Sequence, residues 1–341
     1  MEVSEAEPLA IPKNKTTDQL QSLGIFYGAP NETRPIIQGP VASASAQNII
    51  NIQGSNFMVK GIAFTKGSRG IRLGPNVIKN AVFDDIFIYN ITGTAISAND
   101  AGNEYSNITL RNSEITNTNT MANTTGECVY FGCSNDACRI RDSIIEHNYC
   151  HDTLNSAGGS RAGFQVKSGS YNVIIRNNVC YKVVGPCIIV YDDYDRGRNL
   201  IDGNLAIYAG TADLGIQCTS GATITNNIVI NASASIYNNA INGALDATGI
   251  QVNGTFGVSS NVFVDATANK LYPAVNSPLI NKGANPLNQV LYDYNGMQRS
   301  NTTPTVGAYE YSTTNNPGCA ITYSFKCGSS TAAVPQYPLF P

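Results

Sequence analysis

The sequence predicts an all-β solenoid of stacked parallel coils, and three observations predict it. One short phrase is written three times: GFQVKSGSYNVIIRNNVC at Gly163–Cys180, CIIVYDD…NLIDGNLAI at Cys187–Ile207, and GIQCTSGATITNNIVI at Gly215–Ile230. Each copy alternates with a period of two (Phe164/Val166, Ile188/Val190, Ile216/Cys218) and carries no helical period. Each also holds an asparagine at an equivalent place, Asn178, Asn204 and Asn227, so the copies are spaced by 26 and 23 residues. Units this short cannot bury their own apolar face, so they must stack on one another.

Taken in order, residues 1–47 are polar and aperiodic, with Pro8, Pro12, Pro30, Pro35 and Pro40 breaking any long element. They are expected to form an N-terminal cover, with RPIIQGP as the edge over the first coil. Coils are expected over 48–268 and can be followed by their second strand. That strand begins at Gly61, Asp85, Ser113, Asn148, Asn178, Asn204, Asn227 and Asn261. A repeat near 23 residues is thus lengthened by insertions, and inserted turns on solenoids are where binding is usually built. Residues 269–311 are expected to be a C-terminal cap, and 312–341 a tail.

The column that begins Gly61, Asp85 and Ser113 becomes asparagine in five successive coils. Stacked asparagines can bond to one another's amides and to turn backbone, which is structural chemistry. Two residues further on, Cys150 and Cys180 fall on neighbouring coils, as a disulfide or as a thiol stack. Cys133–Cys138 and Cys319–Cys327 bracket short segments and read as local disulfides. Cys128, Cys150, Cys180, Cys187 and Cys218 are odd in number, so at least one of them is expected to lack an intrachain partner.

Composition narrows the function classes. Charged residues are 13% of the chain, the net charge is −3 and the pI is about 5.4, so no basic stripe exists for a nucleic acid. No apolar run approaches a membrane span. Nine cysteines suggest an oxidising, extracellular or cell-surface location, and eight N-x-S/T sequons lean the same way.

The repeated G-I-x-V and I-x-x-N-x-ϕ phrases resemble the pectate-lyase-like superfamily. SPLINKGAN (Ser277–Asn285), DYNGMQR (Asp293–Arg299) and VGAYEY (Val306–Tyr311) resemble the closing segment of many secreted bacterial members. The resemblance implies a single-stranded right-handed parallel β-helix of about eight coils, about 38 Å long at ~4.8 Å per coil. It also implies an acidic polysaccharide as substrate or ligand. Lys167, in VKSGSYNVIIRNN, resembles the lysine of an N-K-S phrase in alginate and chondroitin lyases of this superfamily. Where those enzymes carry an Arg-His pair on the following coil, this chain has Tyr191-Asp192.

Strand alternation places two outward columns on one sheet: Arg72, Ser97, Tyr130, Gln165, Ile189, Gln217, Gln251, and Gly74, Asn99, Gly132, Lys167, Tyr191, Thr219, Asn253. Tyr130, Lys167 and Tyr191 should therefore share a patch. Proton abstraction beside a uronic carboxylate needs a base and a counter-charge. Lys167, Tyr191 and Arg161 are the expected catalytic groups, and Tyr130, Gln165 and Glu127 the expected substrate-binding groups. Asp192, Asp193 and Asp195 are oxygen ligands suited to Ca²⁺. A hydrolase built on Asp192–Asp193 lacks its accompanying motifs in the required order, and His147 and His151 are not spaced to converge on one ion. The alternative is a non-catalytic structural or adhesive subunit that self-associates into an extracellular filament or surface layer. The chain has no Trp for sugar stacking, and open β-helix ends invite assembly.

Overall fold

The computed structural model describes residues 9–10, 24–29, 32–39, 47–121, 125–154, 162–191, 194, 196–197, 199–207, 214–218, 222–230, 234–238, 250–251, 263–265, 270–283 and 292–313. Among them are three long sheets of nine, eight and nine strands, parallel throughout. Each coil gives one strand to each sheet in turn. In one coil these are Val129–Phe131 in sheet A, Arg139–Glu146 in sheet B and Tyr149–His151 in sheet C. The chain is thus a parallel β-helix, as expected.

The core follows from the period of two. Ile71, Ile96, Val129, Phe164, Ile188 and Ile216 stand in register along sheet A and all are buried. Leu73, Ala98, Phe131, Val166 and Val190 form the neighbouring inward column. Fully burying such a side chain stabilises by about 1.5–3 kcal/mol, and stacking repeats that gain at every coil.

The bend from sheet B into sheet C needs one residue with positive φ. Asp85, Asn112, His147, Asn177, Gly203 and Asn226 supply it, with φ between 51° and 62°. These are mostly the residue types that tolerate the left-handed region. The asparagine ladder comes next. Asn148 Nδ2 donates to Asn178 Oδ1 at 3.0 Å, Asn178 to Asn204 at 3.0 Å, and Asn204 to Asn227 at 2.9 Å. Each of these Oδ1 atoms also accepts the backbone N–H of the asparagine one coil back, and each Nδ2 also donates to a carbonyl of sheet B. The buried amides are satisfied, as the column predicts.

Strands Gly24–Tyr27 and Ile36–Gln38 fall within the expected cover, yet they pair in parallel with Phe57–Lys60 and Ala63–Thr65. The N-terminal region therefore continues sheets B and C. At the other end two placements need correction. Gln251 does not extend the sheet A column. Ile250–Gln251 pairs with Asn227–Ile228 in sheet C, and Tyr237 of Ala234–Asn238 follows Gln217. Phe263 is not on a coil strand either, because Phe263–Asp265 pairs antiparallel with Lys270–Pro273. One cause underlies both: the long step after Asn227 conceals a further coil strand at 234–238.

Cys150 and Cys180 are register partners but do not bond to each other. Cys150 bonds to Cys128 and Cys180 to Cys187, with Cα separations of 6.2 and 5.7 Å, tying sheet C to the entry of sheet A. The expected Cys133–Cys138 disulfide is present. Cys319 and Cys327 lie outside the described residues, as does the side chain of Cys218.

The outer face of sheet C is covered. Tyr149, Val179, Leu205 and Ile228 pack against Phe263, Leu271, Tyr272, Leu279, Tyr294, Val306, Ala308 and Tyr309 in a second buried cluster. The described residues of the expected cap, 270–283 and 292–311, thus supply most of a layer along the side of the helix.

Candidate functional site

The outer face of sheet A carries the expected column. Arg72, Ser97, Tyr130, Gln165, Ile189 and Gln217 are successive register partners. Lys167 and Tyr191 leave the ends of their strands, each donating its backbone N–H across to the previous coil: Lys167 to Phe131 at 2.7 Å, Tyr191 to Val166 at 2.9 Å. Gly132 precedes Lys167 in this second column with φ of 84°, and a Cβ there would lie 2.8 Å from Ser170 Oγ and 3.1 Å from Lys167 Cβ. Only glycine leaves room for the lysine stem.

Lys167 Nζ lies between two phenol rings, 5.3 Å from the centroid of Tyr130 and 4.5 Å from that of Tyr191. Both rings are half-buried, and both attract a cation through the ring face. Behind them runs a polar chain. With the Gln165 amide turned so that both neighbours are satisfied, its Oε1 accepts from Lys167 Nζ at 2.8 Å and its Nε2 donates to Glu127 Oε1 at 3.0 Å. Thr94 Oγ1 donates to Glu127 Oε2 at 2.6 Å. Lys167 is 8% exposed and Glu127 0%.

Burial dominates the electrostatics. It pushes the Glu127 carboxyl up to about 7, against the hydrogen bond from Thr94 and the charges of Lys167 and Arg69. Burial pulls the Lys167 ammonium down, and the nearby Glu127 charge partly restores it. Tyr130 is raised, first by burial and then by the charge of Glu127. Arg69 is lowered by burial and by Arg72, which itself pairs with Asp100. Beside the patch, Arg196 clasps Asp136, at 2.6 and 2.5 Å, joining its segment to the Cys133–Cys138 loop.

Of the residues expected from the sequence, Tyr130, Gln165, Glu127, Lys167 and Tyr191 come together here. Glu127 lies behind Gln165 with no surface of its own, so it reaches a ligand only through Gln165 and Lys167. Arg161, Asp192, Asp193 and Asp195 lie outside the described residues. Among the described residues no group of three His, Cys, Asp or Glu side chains is placed to hold a metal ion. Sequence reasoning missed Thr94 and Arg69, because a contact between a turn threonine and a carboxylate one coil later leaves no periodic trace.

A second polar cluster sits between sheet C and the C-terminal segment. His147 Nε2 donates to the Asp293 carbonyl at 2.7 Å, and Arg299 donates to Asn177 Oδ1 at 2.9 Å and to the Gly307 carbonyl at 2.6 Å. The Asp293 carboxylate accepts three backbone N–H groups, from Asn295, Met297 and Glu310. These bonds hold the segment in place, which is an anchoring arrangement.

The ladders and the sheet A patch define a parallel β-helix protein with a lysine–tyrosine face. No family model matches the sequence, and no curated protein matches it. Several solved structures are similar in outline. A pectate lyase, Pel9A, is 15% identical with a TM-score of 0.47, covering 90% of this chain and 87% of that one. An alginate lyase from Paenibacillus sp. str. FPU-7 is 15% identical with a TM-score of 0.40, covering 64% and 84%. A rhamnogalacturonan lyase is 14% identical with a TM-score of 0.35, covering 80% and 86%. At these values the likenesses carry no argument about the reaction, and the architecture rests on the strand pairings themselves.

Proposed function

We propose that the chain acts on an acidic polysaccharide at the outer face of sheet A, cleaving it by β-elimination. The observation that supports this reading is the Lys167 amine held between Tyr130 and Tyr191 on the outer face of sheet A. The phenol rings offer apolar surface to sugar faces and hydroxyls to their edges. Lys167, lowered by burial, is the base. Its amine takes the C5 proton of a uronate, the C4–C5 double bond forms, and the C4–oxygen bond breaks. The departing oxygen takes a proton from the Tyr191 phenol or from water. Arg161 is the counter-charge we assign to the uronate carboxylate; Asp192, Asp193 and Asp195 are a donor set that would hold Ca²⁺, which would add positive charge there.

The test is incubation with alginate, polygalacturonate and glycosaminoglycans, followed by the ultraviolet absorbance of unsaturated uronate. Product from one of these and none from the Lys167→Ala variant supports the reading. Product formed equally by the variant removes Lys167 from the reaction.

A second reading, a self-associating subunit, is favoured by a different observation. Among the described residues Gly24–Tyr27 is an edge strand of sheet B and exposes Ile25, Phe26 and Tyr27, with Ile36 exposed nearby in sequence. Apolar side chains on an open strand edge favour association. Light scattering and electron microscopy of the purified chain test it, and a monomer at all concentrations ends it.

A further inference from the structure

A buried carboxylate paired directly with a lysine would hold the proton on that lysine, which suits an anchor and not a base. Here the two are separated by one amide. In the orientation that satisfies both neighbours, the Gln165 amide donates to Glu127 and accepts from Lys167 Nζ, which ties it at both ends. A neutral amine keeps two N–H donors; one can remain on Gln165 Oε1 while the lone pair points outward between the rings. We infer that Glu127 and Gln165 are positioning residues for Lys167: the amide aims its Nζ between Tyr130 and Tyr191, and the carboxylate, one residue removed, supports the ammonium without locking it. The inference rests on the lyase reading for its purpose but not for its test.

The surroundings leave few competitors for this role. Glu127 is faced by Thr94 and Gln165 through hydrogen bonds, and by Lys167, Arg69 and Tyr130 through charge. Lys167 is faced by Glu127 and by the Tyr130 and Tyr191 rings. Arg69 has Arg72 and Asp100 beside it, and those two pair with each other. Burial raises the Glu127 carboxyl to about 7, so its charge is present above that pH.

The experiment follows the Lys167 side chain by NMR in protein labelled with ¹³C at the lysine ε-carbon, assigned by the loss of its signal in Lys167→Arg. No glycan is added. Glu127→Gln removes the charge and keeps the shape, and the Lys167 midpoint should fall by about one pH unit, a tenfold weaker hold on the proton. Gln165→Glu puts a carboxylate directly on Nζ, and the midpoint should rise by at least about as much. Gln165→Met severs the link with Glu127 still present, lowers the midpoint, and carries the test if either charged variant fails to fold. Shifts of opposite sign from Glu127→Gln and Gln165→Glu establish the charge coupling, and the fall in Gln165→Met, with the Glu127 charge unchanged, establishes that it passes through the amide. A midpoint unmoved in the folded variants overturns the inference. Opposed shifts in a protein that yields no uronate product leave the relay standing and remove the lyase reading. Product with unmoved midpoints does the reverse.

Discussion

Sheets A and C present outer faces built by the same alternation, yet they meet different fates. Sheet C turns Tyr149, Val179, Leu205 and Ile228 outward, and a later part of the chain covers them. Sheet A turns Tyr130, Gln165 and Lys167 outward, and its polar groups bond among themselves. Each face also buries a carboxyl that burial pushes up, Asp293 to about 6 and Glu127 to about 7. Asp293 is met by three rigid backbone donors, so it anchors. Glu127 is met by a threonine hydroxyl and an amide that leads to a lysine. The same desolvation makes a clamp where its partners are backbone and a tunable group where its partners are side chains.

The sharpest way to separate the faces is to remove one side chain from each. Lys167→Ala should cut uronate release by about 10²–10⁴-fold, the usual range for a lost acid–base group, with a stability loss of no more than about 1–2 kcal/mol from the cation–ring contacts. Phe263→Ala should do the opposite. It should cost about 3–5 kcal/mol in urea denaturation and leave kcat near wild type in the folded fraction. If Lys167→Ala proves the more destabilising of the two, the contrast between the faces is wrong.

The next test is pH. A carboxyl raised in the folded state binds its proton more tightly there than in the unfolded chain, so it withdraws stability as pH rises between its unfolded and folded values. For Glu127 that window runs from about 4.5 to about 7, and for Asp293 from about 3.8 to about 6. Glu127→Gln should flatten the decline across its window by up to about 3 kcal/mol, read as the difference in stability–pH slope from wild type. Asp293→Asn should flatten its own window but lower stability throughout, because an amide cannot accept all three backbone bonds. Parallel slopes for wild type and Glu127→Gln would mean that the carboxyl is not shifted.

Smaller effects belong to the ladders that both faces share. Asn204→Ala breaks two side-chain bonds of the ladder and leaves the Asn178 backbone N–H without its acceptor, and should cost about 1–3 kcal/mol. Asn80 has φ of 57°, and among the described residues its half-buried side chain bonds to those of Asn56 and Asn107. Asn80→Gly should therefore change stability by no more than about 0.5 kcal/mol, while Asn80→Val should cost about 1–2 kcal/mol through the left-handed backbone. Equal effects of the two would show that the turn is not held in that conformation.

Much of this molecule is written in nearest-neighbour terms. The period of two, the asparagine column and the coil spacing depend only on one coil and the next, so they could be read from residues such as Asn178, Asn204 and Asn227. The juxtaposition of Tyr130, Gln165, Lys167 and Tyr191 followed from the same register. What crosses from one turn to another could not be read this way. The bonding of Cys150 to Cys128, the burial of Glu127 against Thr94, the coil strand at Ala234–Asn238 and the docking of Phe263 and Tyr309 on sheet C all depend on where insertions of unequal length return the chain. A repeat fixes what stacks on what; the path of an insertion is decided by the surface that it finds to cover, and that surface exists only once the coils have stacked.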